Sequence, residues 1–253
     1  MKIKILGCHG GSLLKFSPIS LLINQDMVID AGSLTTQLKL KEQHQLKHIF
    51  LTHSHMDHIK DLCFLADNLF LSGSHSSVTI YATDAILTDL QKNIFNGIIW
   101  PDVTQIPSRE APIFKFRSLK KPLSLDAVTI QGVAVNHSHS ALGYILSTST
   151  GSVVITGDTG PTDELWEITN RLQKLKAIFI ECSFPGSLSD LAWKSRHLST
   201  VTLLRELKKV KHPRTPIYVY AMKPVYVKQI TSEIQALREK EIKFLKPNMV
   251  LQF

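Results

Sequence analysis

Short β-like runs recur along this chain from end to end, and there are too many of them for one doubly wound sheet of its length. They lie at Ile3–Leu6, Ser20–Ile23, Met27–Ile29, His48–Leu51, Val78–Tyr81, Val128–Val135, Ala141–Ser147, Ser152–Thr156, Ala177–Ile180, Ile217–Tyr220 and Met249–Phe253. Amphipathic helical stretches alternate with them at Thr35–Gln43, His58–Leu71, Asp84–Asn96, Asp163–Lys174, Thr200–Lys209 and Val225–Lys240. The last repeats apolar residues at Val227, Ile230, Ile234 and Leu237, a face of period 3.6. The strands fall into antiparallel-looking pairs. The expected architecture is therefore α/β, with two β-sheets packed face to face and helices outside. No internal repeat or Pro/Gly-rich linker breaks the chain, so a single domain over residues 1–253 is expected. The stretch Trp100–Pro122, with four prolines, reads as a surface excursion.

A chain of 253 residues can bury a substantial core, and 43% hydrophobic with 20% charged residues is ordinary for a globular protein. No apolar run reaches the roughly 18–20 residues of a membrane span. The N-terminus alternates Lys with aliphatic residues and lacks the apolar stretch of a secretory signal, which points to the cytoplasm. Cys8, Cys63 and Cys182 are far apart and odd in number, so buried thiols are expected rather than a disulfide framework or a thiolate metal site. The net charge of +8 favours anionic partners in general. It comes from lysines scattered over helix faces, Lys208, Lys209 and Lys211 among them, which argues against a nucleic-acid groove. A homodimer and a monomer are both compatible with this composition.

The chemistry concentrates in Thr52-His53-Ser54-His55-Met56-Asp57-His58, which follows an apolar strand and opens a helix. Three imidazoles and a carboxylate in so short a run suit a borderline-soft divalent metal. Residues two apart in extended chain point the same way, so His53 and His55 can share one ion. Asp57 and His58, at the turn into the helix, are redirected toward a second. Other ligand types also stand just after apolar strands: His137 after Val133–Asn136, with His139 beyond it, and Asp158 after Val153–Gly157. A carboxylate at 158 can bridge two ions through its two oxygens.

His53-Ser54-His55-Met56-Asp57-His58, the Asn136-His137 pair and Thr156-Gly157-Asp158-Thr159-Gly160 resemble successive motifs of the metallo-β-lactamase superfamily. The opening segment is similar too, from Leu6-Gly7-Cys8-His9-Gly10-Gly11-Ser12 to Val28-Ile29-Asp30-Ala31-Gly32. The resemblance spans nearly the whole chain. It implies an αβ/βα sandwich with a binuclear site at one edge of the sheets. Zn²⁺ is the expected ion at two sites per chain, with Mn²⁺ or Fe as alternatives. His53, His55, Asp57, His58, His137 and Asp158 are the implied ligands.

Within the superfamily the chain is most similar to class II cyclic-nucleotide phosphodiesterases and their bacterial relatives. Glu181-Cys182-Ser183-Phe184 and Arg196-His197-Leu198-Ser199-Thr200 carry that similarity, with Arg196 where glycine is usual. The implied substrate is a small phosphodiester, a 3′,5′-cyclic nucleotide, attacked by a metal-bound hydroxide. Asp57 would accept a proton, and His197, oriented by Glu181, would protonate the departing sugar oxygen. Ser199 or Thr200 is expected to cap the helix Thr200–Lys209. One departure stands out: Tyr220-Ala221-Met222-Lys223-Pro224 places Ala221 where the family carries a last histidine ligand, leaving the second ion one donor short. Other readings remain open at this point. They are a lactone, thioester or β-lactam hydrolase, a tRNA 3′-end-processing nuclease, and a non-catalytic binding or regulatory protein with a degraded metal site.

Overall fold

The computed structural model describes residues 1–73, 77–237 and 242–253. Among them the strands form two seven-stranded mixed sheets. The first contains β1 (Lys2–Gly7), β2 (Ser20–Ile23), β3 (Met27–Ile29), β4 (His48–Phe50), β5 (Val78–Ala82), β6 (Phe114–Ser118) and β14 (Val250–Gln252), in the order β14-β1-β2-β3-β4-β5-β6. The second contains β7 (Leu123–Leu125), β8 (Val128–Ala134), β9 (Leu142–Thr148), β10 (Gly151–Ile155), β11 (Leu175–Glu181), β12 (Ile217–Tyr220) and β13 (Ile242–Phe244), in the order β13-β12-β11-β10-β9-β8-β7. Each sheet has a parallel half, β3 to β6 in one and β10 to β13 in the other, and an antiparallel half.

Period-two alternation of apolar residues layers the molecule, because successive side chains point to opposite faces of a sheet. Met27 and Ile29 of β3, Phe50 of β4, Val153 and Ile155 of β10 and Phe179 of β11 enter one cluster between the sheets. Val28, Ile49 and Ile80 face the other way, onto the helices α1 (Leu34–Gln37), α2 (Leu40–Gln43), α3 (Met56–Ile59), α4 (Asp61–Leu71) and α5 (Asp84–Asn93). Val154, Ile178, Ile180 and Val219 likewise face α6 (Glu164–Thr169), α7 (Ser189–Lys194), α8 (Thr200–Lys209) and α9 (Val227–Ala236). Strands buried on both faces read as nearly continuous apolar runs, as β10 and β11 do. Two bonds tie the sheets at the end of β4: the Tyr144 hydroxyl donates to the Leu51 carbonyl at 2.7 Å and the Leu142 N–H to the Thr52 carbonyl at 2.8 Å.

The two-sheet sandwich matches the expectation, and several local readings change. Thr35–Gln43 is two short helices, since Lys39 is extended and its N–H donates to the Glu42 carboxylate at 2.8 Å, starting a new helix. The expected helix from His58 begins at Met56 and is renewed at Asp61, whose carboxylate accepts from the Thr35 N–H at 2.8 Å. Asp163–Lys174 shortens to α6, with Asn170 turned to donate to the Lys209 carbonyl. The stretch Trp100–Pro122 is not wholly a surface excursion: Phe114–Ser118 forms the edge strand β6 and buries Phe114. The expected final helix begins at Val227 after a short 3₁₀ turn, and its last positions, 238–240, lie outside the described residues. Cys8 and Cys182 are buried as expected, whereas Cys63 is half-buried. Burial pushes the Cys8 thiol up to about 12, and burial followed by Asp67 pushes Cys63 up to about 11, so neither is a ready thiolate.

Candidate metal centre

The strands β3, β4, β10, β11 and β12 end on the same edge of the sandwich, and the residues just past them converge there. His53 and His55 lie in extended chain between β4 and α3, and their rings meet edge-to-face with centroids 4.5 Å apart. His137, past β8, brings its ring to 4.7 Å from His53 and 4.9 Å from His55. His58, in α3, and Asp158, past β10, are both buried, with His58 Nε2 3.3 Å from Asp158 Oδ2.

Three overlapping sets of side chains each place one ligand atom per residue within 4.8 Å of the others: His53/His55/His137, His53/His58/Asp158 and His137/Asp158/His197. His53 Nε2, His58 Nε2 and Asp158 Oδ1 are buried without a hydrogen-bond partner. Orphaned buried polar atoms are costly and rare. Their convergence on one point, from imidazole and carboxylate, is what a divalent cation satisfies, so these residues fit the metal the sequence implies.

Protonation suits the same role. Burial, reinforced by neighbouring imidazoles, holds His53 well below the ordinary histidine value and lowers His55 as well. Burial also lowers His137, so all three rings are neutral and carry a free lone pair near pH 7. Burial opposes charge on His58, but Asp30 and Asp158 outweigh it and raise that histidine well above its usual value. Asp158, despite burial, is held well below the carboxylate range by His58, then by His197 and His53.

Residues behind the ligand set hold it in place. His137 Nδ1–H donates to the Arg196 carbonyl at 2.9 Å, which leaves its Nε2 unprotonated and 3.2 Å from His55 Nδ1, and the Arg196 guanidinium donates back to the His137 carbonyl at 2.8 Å. Arg196 sits at φ +53°, in the left-handed region that favours glycine. Glycine would adopt that backbone freely, and what the arginine adds is its bond to His137. Asp30, fully buried past β3, accepts from His58 Nδ1–H at 2.7 Å, from the Thr52 N–H at 2.8 Å and from the Thr52 hydroxyl at 2.9 Å. Asp30 was not among the expected site residues. The signal that singled out Asp158, a carboxylate just after an apolar strand, applies to it equally. Gly32 is required beside it, since a Cβ there would lie 2.1 Å from the Asp57 carbonyl.

Glu181 and His197 form a pair at the rim of the cluster. His197 Nδ1–H donates to Glu181 Oε1 at 2.8 Å, and Glu181 is fully buried, with the Thr159 and Ser183 N–H groups donating to its two oxygens at 3.0 and 2.9 Å. Burial opposes charge on His197, but Glu181 and then Asp158 raise its pKa. Ser199, not Thr200, caps α8.

Asp57 enters none of the three ligand sets among the described residues; its Oδ2 is 3.9 Å from Lys223 Nζ. Ala221 is buried at φ +59°, with its N–H donating to the Cys8 carbonyl at 2.8 Å and its carbonyl accepting from the Ser183 hydroxyl at 3.0 Å. His139, the alternative donor that the sequence offers, is exposed and belongs to no ligand set among the described residues.

A model of the Beta-lactamase superfamily domain family matches residues 26–219, a span that carries His53 through Glu181 and on to β12. The chain belongs to this family. It is 28% identical over 185 residues to 3′,5′-cyclic-nucleotide phosphodiesterase 1 of Saccharomyces cerevisiae, a match that covers 62% of this chain and 49% of the yeast protein. It is 26% identical over 247 residues to a 3′,5′-cyclic-nucleotide phosphodiesterase of Aliivibrio fischeri, covering 79% of this chain and 71% of that one. The first match thus spans about half the length of the yeast relative. Unliganded yeast PDE1 superposes with a TM-score of 0.82 at 19% identity, covering 100% of this chain and 99% of that chain, which shows a shared fold.

Proposed function

We propose that this superfamily member is a metal-dependent phosphodiesterase that hydrolyses 3′,5′-cyclic nucleotides, and that residues 1–253 act as one domain. The observation that carries this reading is the buried Glu181–His197 pair beside the ligand cluster. Hydrolysis of a carbonyl substrate such as a thioester needs no dedicated acid for a good leaving group, whereas expulsion of a sugar alkoxide from phosphorus does. The two phosphodiesterase relatives point to the same chemistry. A nucleic-acid substrate and a membrane partner form no part of the reading, and no helix of the described residues is long and apolar enough to cross a membrane.

His53, His55 and His137 would hold a divalent ion, Zn²⁺ by their chemistry, with Asp158 and His58 alongside. When bound, such an ion supplies Lewis-acid chemistry: it acidifies water and offsets charge on a phosphoryl oxygen. The protein's own groups move the protons. Asp57 takes the proton of the attacking water as its oxygen bonds to phosphorus. His197, whose pKa Glu181 raises against burial, gives its Nε2 proton to the 3′-oxygen as the P–O bond breaks, and the product is a 5′-nucleotide. Asp30 and Arg196 act through His58 and His137, fixing the tautomer of each ring. Three neutral imidazoles on one point argue against the degraded-site alternative.

The test is hydrolysis of cyclic AMP, cyclic GMP, a lactone and a thioester by one preparation whose metal content is measured. Turnover of the cyclic nucleotides, lost together with the metal in His55→Ala, is expected. Turnover of the carbonyl substrates alone would overturn the phosphodiester reading.

A further inference from the structure

Apart from His53, His55 and His137, the ligand sets among the described residues contain only His58, Asp158 and His197, and His197 shares no set with His58. That leaves one imidazole and one carboxylate for a second ion, short of the three protein ligands that catalytic zinc sites use. Ala221, at the end of β12, adds no donor. Asp57 joins no ligand set with His58 and Asp158 among the described residues, and its Oδ2 lies 3.9 Å from an ammonium, Lys223 Nζ. Both side chains are mostly sheltered, 28% and 23% exposed, so solvent screens their attraction only in part. The lysine is held from behind. Its N–H donates to the Ser183 carbonyl at 3.2 Å, and the loop after β1 packs on its stem, where a Cβ on Gly10 would lie 3.3 Å from Lys223 Cδ and 2.5 Å from the Ala221 carbonyl oxygen. The same positive charge opposes protonation of His197, so it stands within electrostatic reach of the proton donor as well.

We propose that the centre takes a single divalent ion, on His53, His55 and His137 with Asp158, and that the Lys223 ammonium supplies the second positive charge, contacting a non-bridging phosphoryl oxygen. A lysine suits this place because its point charge on a flexible stem pairs with a phosphate oxygen without demanding ligand geometry. Between turnovers Asp57 neutralises it. The metal count stands on the donor geometry alone, and the phosphoryl contact rests on the phosphodiester reading.

Two titrations test the proposal without using turnover. Calorimetric titration of metal-free protein with Zn²⁺ should give one tight equivalent per chain, both in the unmodified protein and in Lys223→Met. Two equivalents of comparable affinity in the unmodified protein would overturn it. Inorganic phosphate is then titrated into the zinc-loaded protein. Loss of a charge-assisted hydrogen bond in Lys223→Met should weaken phosphate roughly ten- to a hundredfold, while Lys223→Arg stays within a few-fold of the unmodified protein. Lys223→Gln gives the same reading should the methionine variant not fold. Phosphate bound equally by charged and uncharged variants would overturn the role of Lys223. Absence of cyclic-nucleotide turnover with both titrations as expected would refute the substrate and leave this assignment in place.

Discussion

Asp30→Asn isolates the support behind the ligand set, because it keeps the shape of the side chain while removing its charge and one acceptor. Asp30 accepts from three donors, and Oδ2 takes the shorter contacts of two of them, His58 Nδ1–H and the Thr52 hydroxyl. Asparagine presents an NH₂ where one of the carboxylate oxygens stood. If it keeps the bond from the Thr52 N–H, the amide meets two donors with a donor. Bonds to a charged group are worth about 1.5–3 kcal/mol each, and part of that returns as the hydroxyl rotates, so the metal-free protein should lose about 2–4 kcal/mol of stability. The loss also frees the His58 ring to change tautomer and releases Thr52, whose hydroxyl lies 3.0 Å from His53 Nδ1. Substitutions of such supporting groups typically weaken metal binding 10–100-fold. Urea unfolding of the metal-free protein gives the first quantity, and Zn²⁺ competition against a chelator gives the second. Wild-type values for both would refute the view that Asp30 positions His58 and the His53 loop.

The remaining predictions concern the frame around the centre. Glu233 on α9 accepts from the Gly186 N–H at 2.8 Å and from the Thr200 hydroxyl at the start of α8. Burial works against its charge, but these donors and Gln229 outweigh it and hold its pKa below the ordinary value. A depressed folded-state pKa stabilises above the unfolded value and is lost as pH falls through the folded one. Because solvent reaches and screens this carboxylate, Glu233→Gln should cost no more than about 1 kcal/mol at pH 7 and almost nothing once the carboxyl is protonated in both states; a cost independent of pH would contradict this. At position 196 the left-handed backbone makes Arg196→Gly more stable than Arg196→Ala by roughly 1 kcal/mol, measured by urea denaturation, and equal stabilities would mean that φ there is not constrained.

Much of the fold was legible because both sheets bury alternate residues on opposite faces, so Met27-Val28-Ile29 and Val153-Val154-Ile155 advertise themselves as apolar runs. The strand β6 was obscured by four prolines around it, although Phe114-Lys115-Phe116-Arg117 alternates as an edge strand does. The short β13 offered too little pattern to read. At the centre, the spacing of His53, His55 and His58 and the strand-end positions of His137 and Asp158 gave the gathering of donors that the structure has. Spacing could not give Asp57 its direction, since that depends on Lys223, which is distant in sequence and arrives on the turn after β12. Nor could it give Arg196 its role, because the bond to the His137 carbonyl joins residues 59 apart in the chain.

The most direct test asks whether His197 protonates a leaving group at phosphorus. His197→Ala, with its metal content verified, is compared with the unmodified protein on cyclic AMP, which expels a sugar alkoxide, and on a nitrophenyl phosphodiester, whose phenolate leaves without a proton. The Glu181–His197 geometry predicts a loss of about 10²–10⁴-fold on cyclic AMP and a much smaller one on the nitrophenyl ester. Equal losses on the two substrates would contradict it.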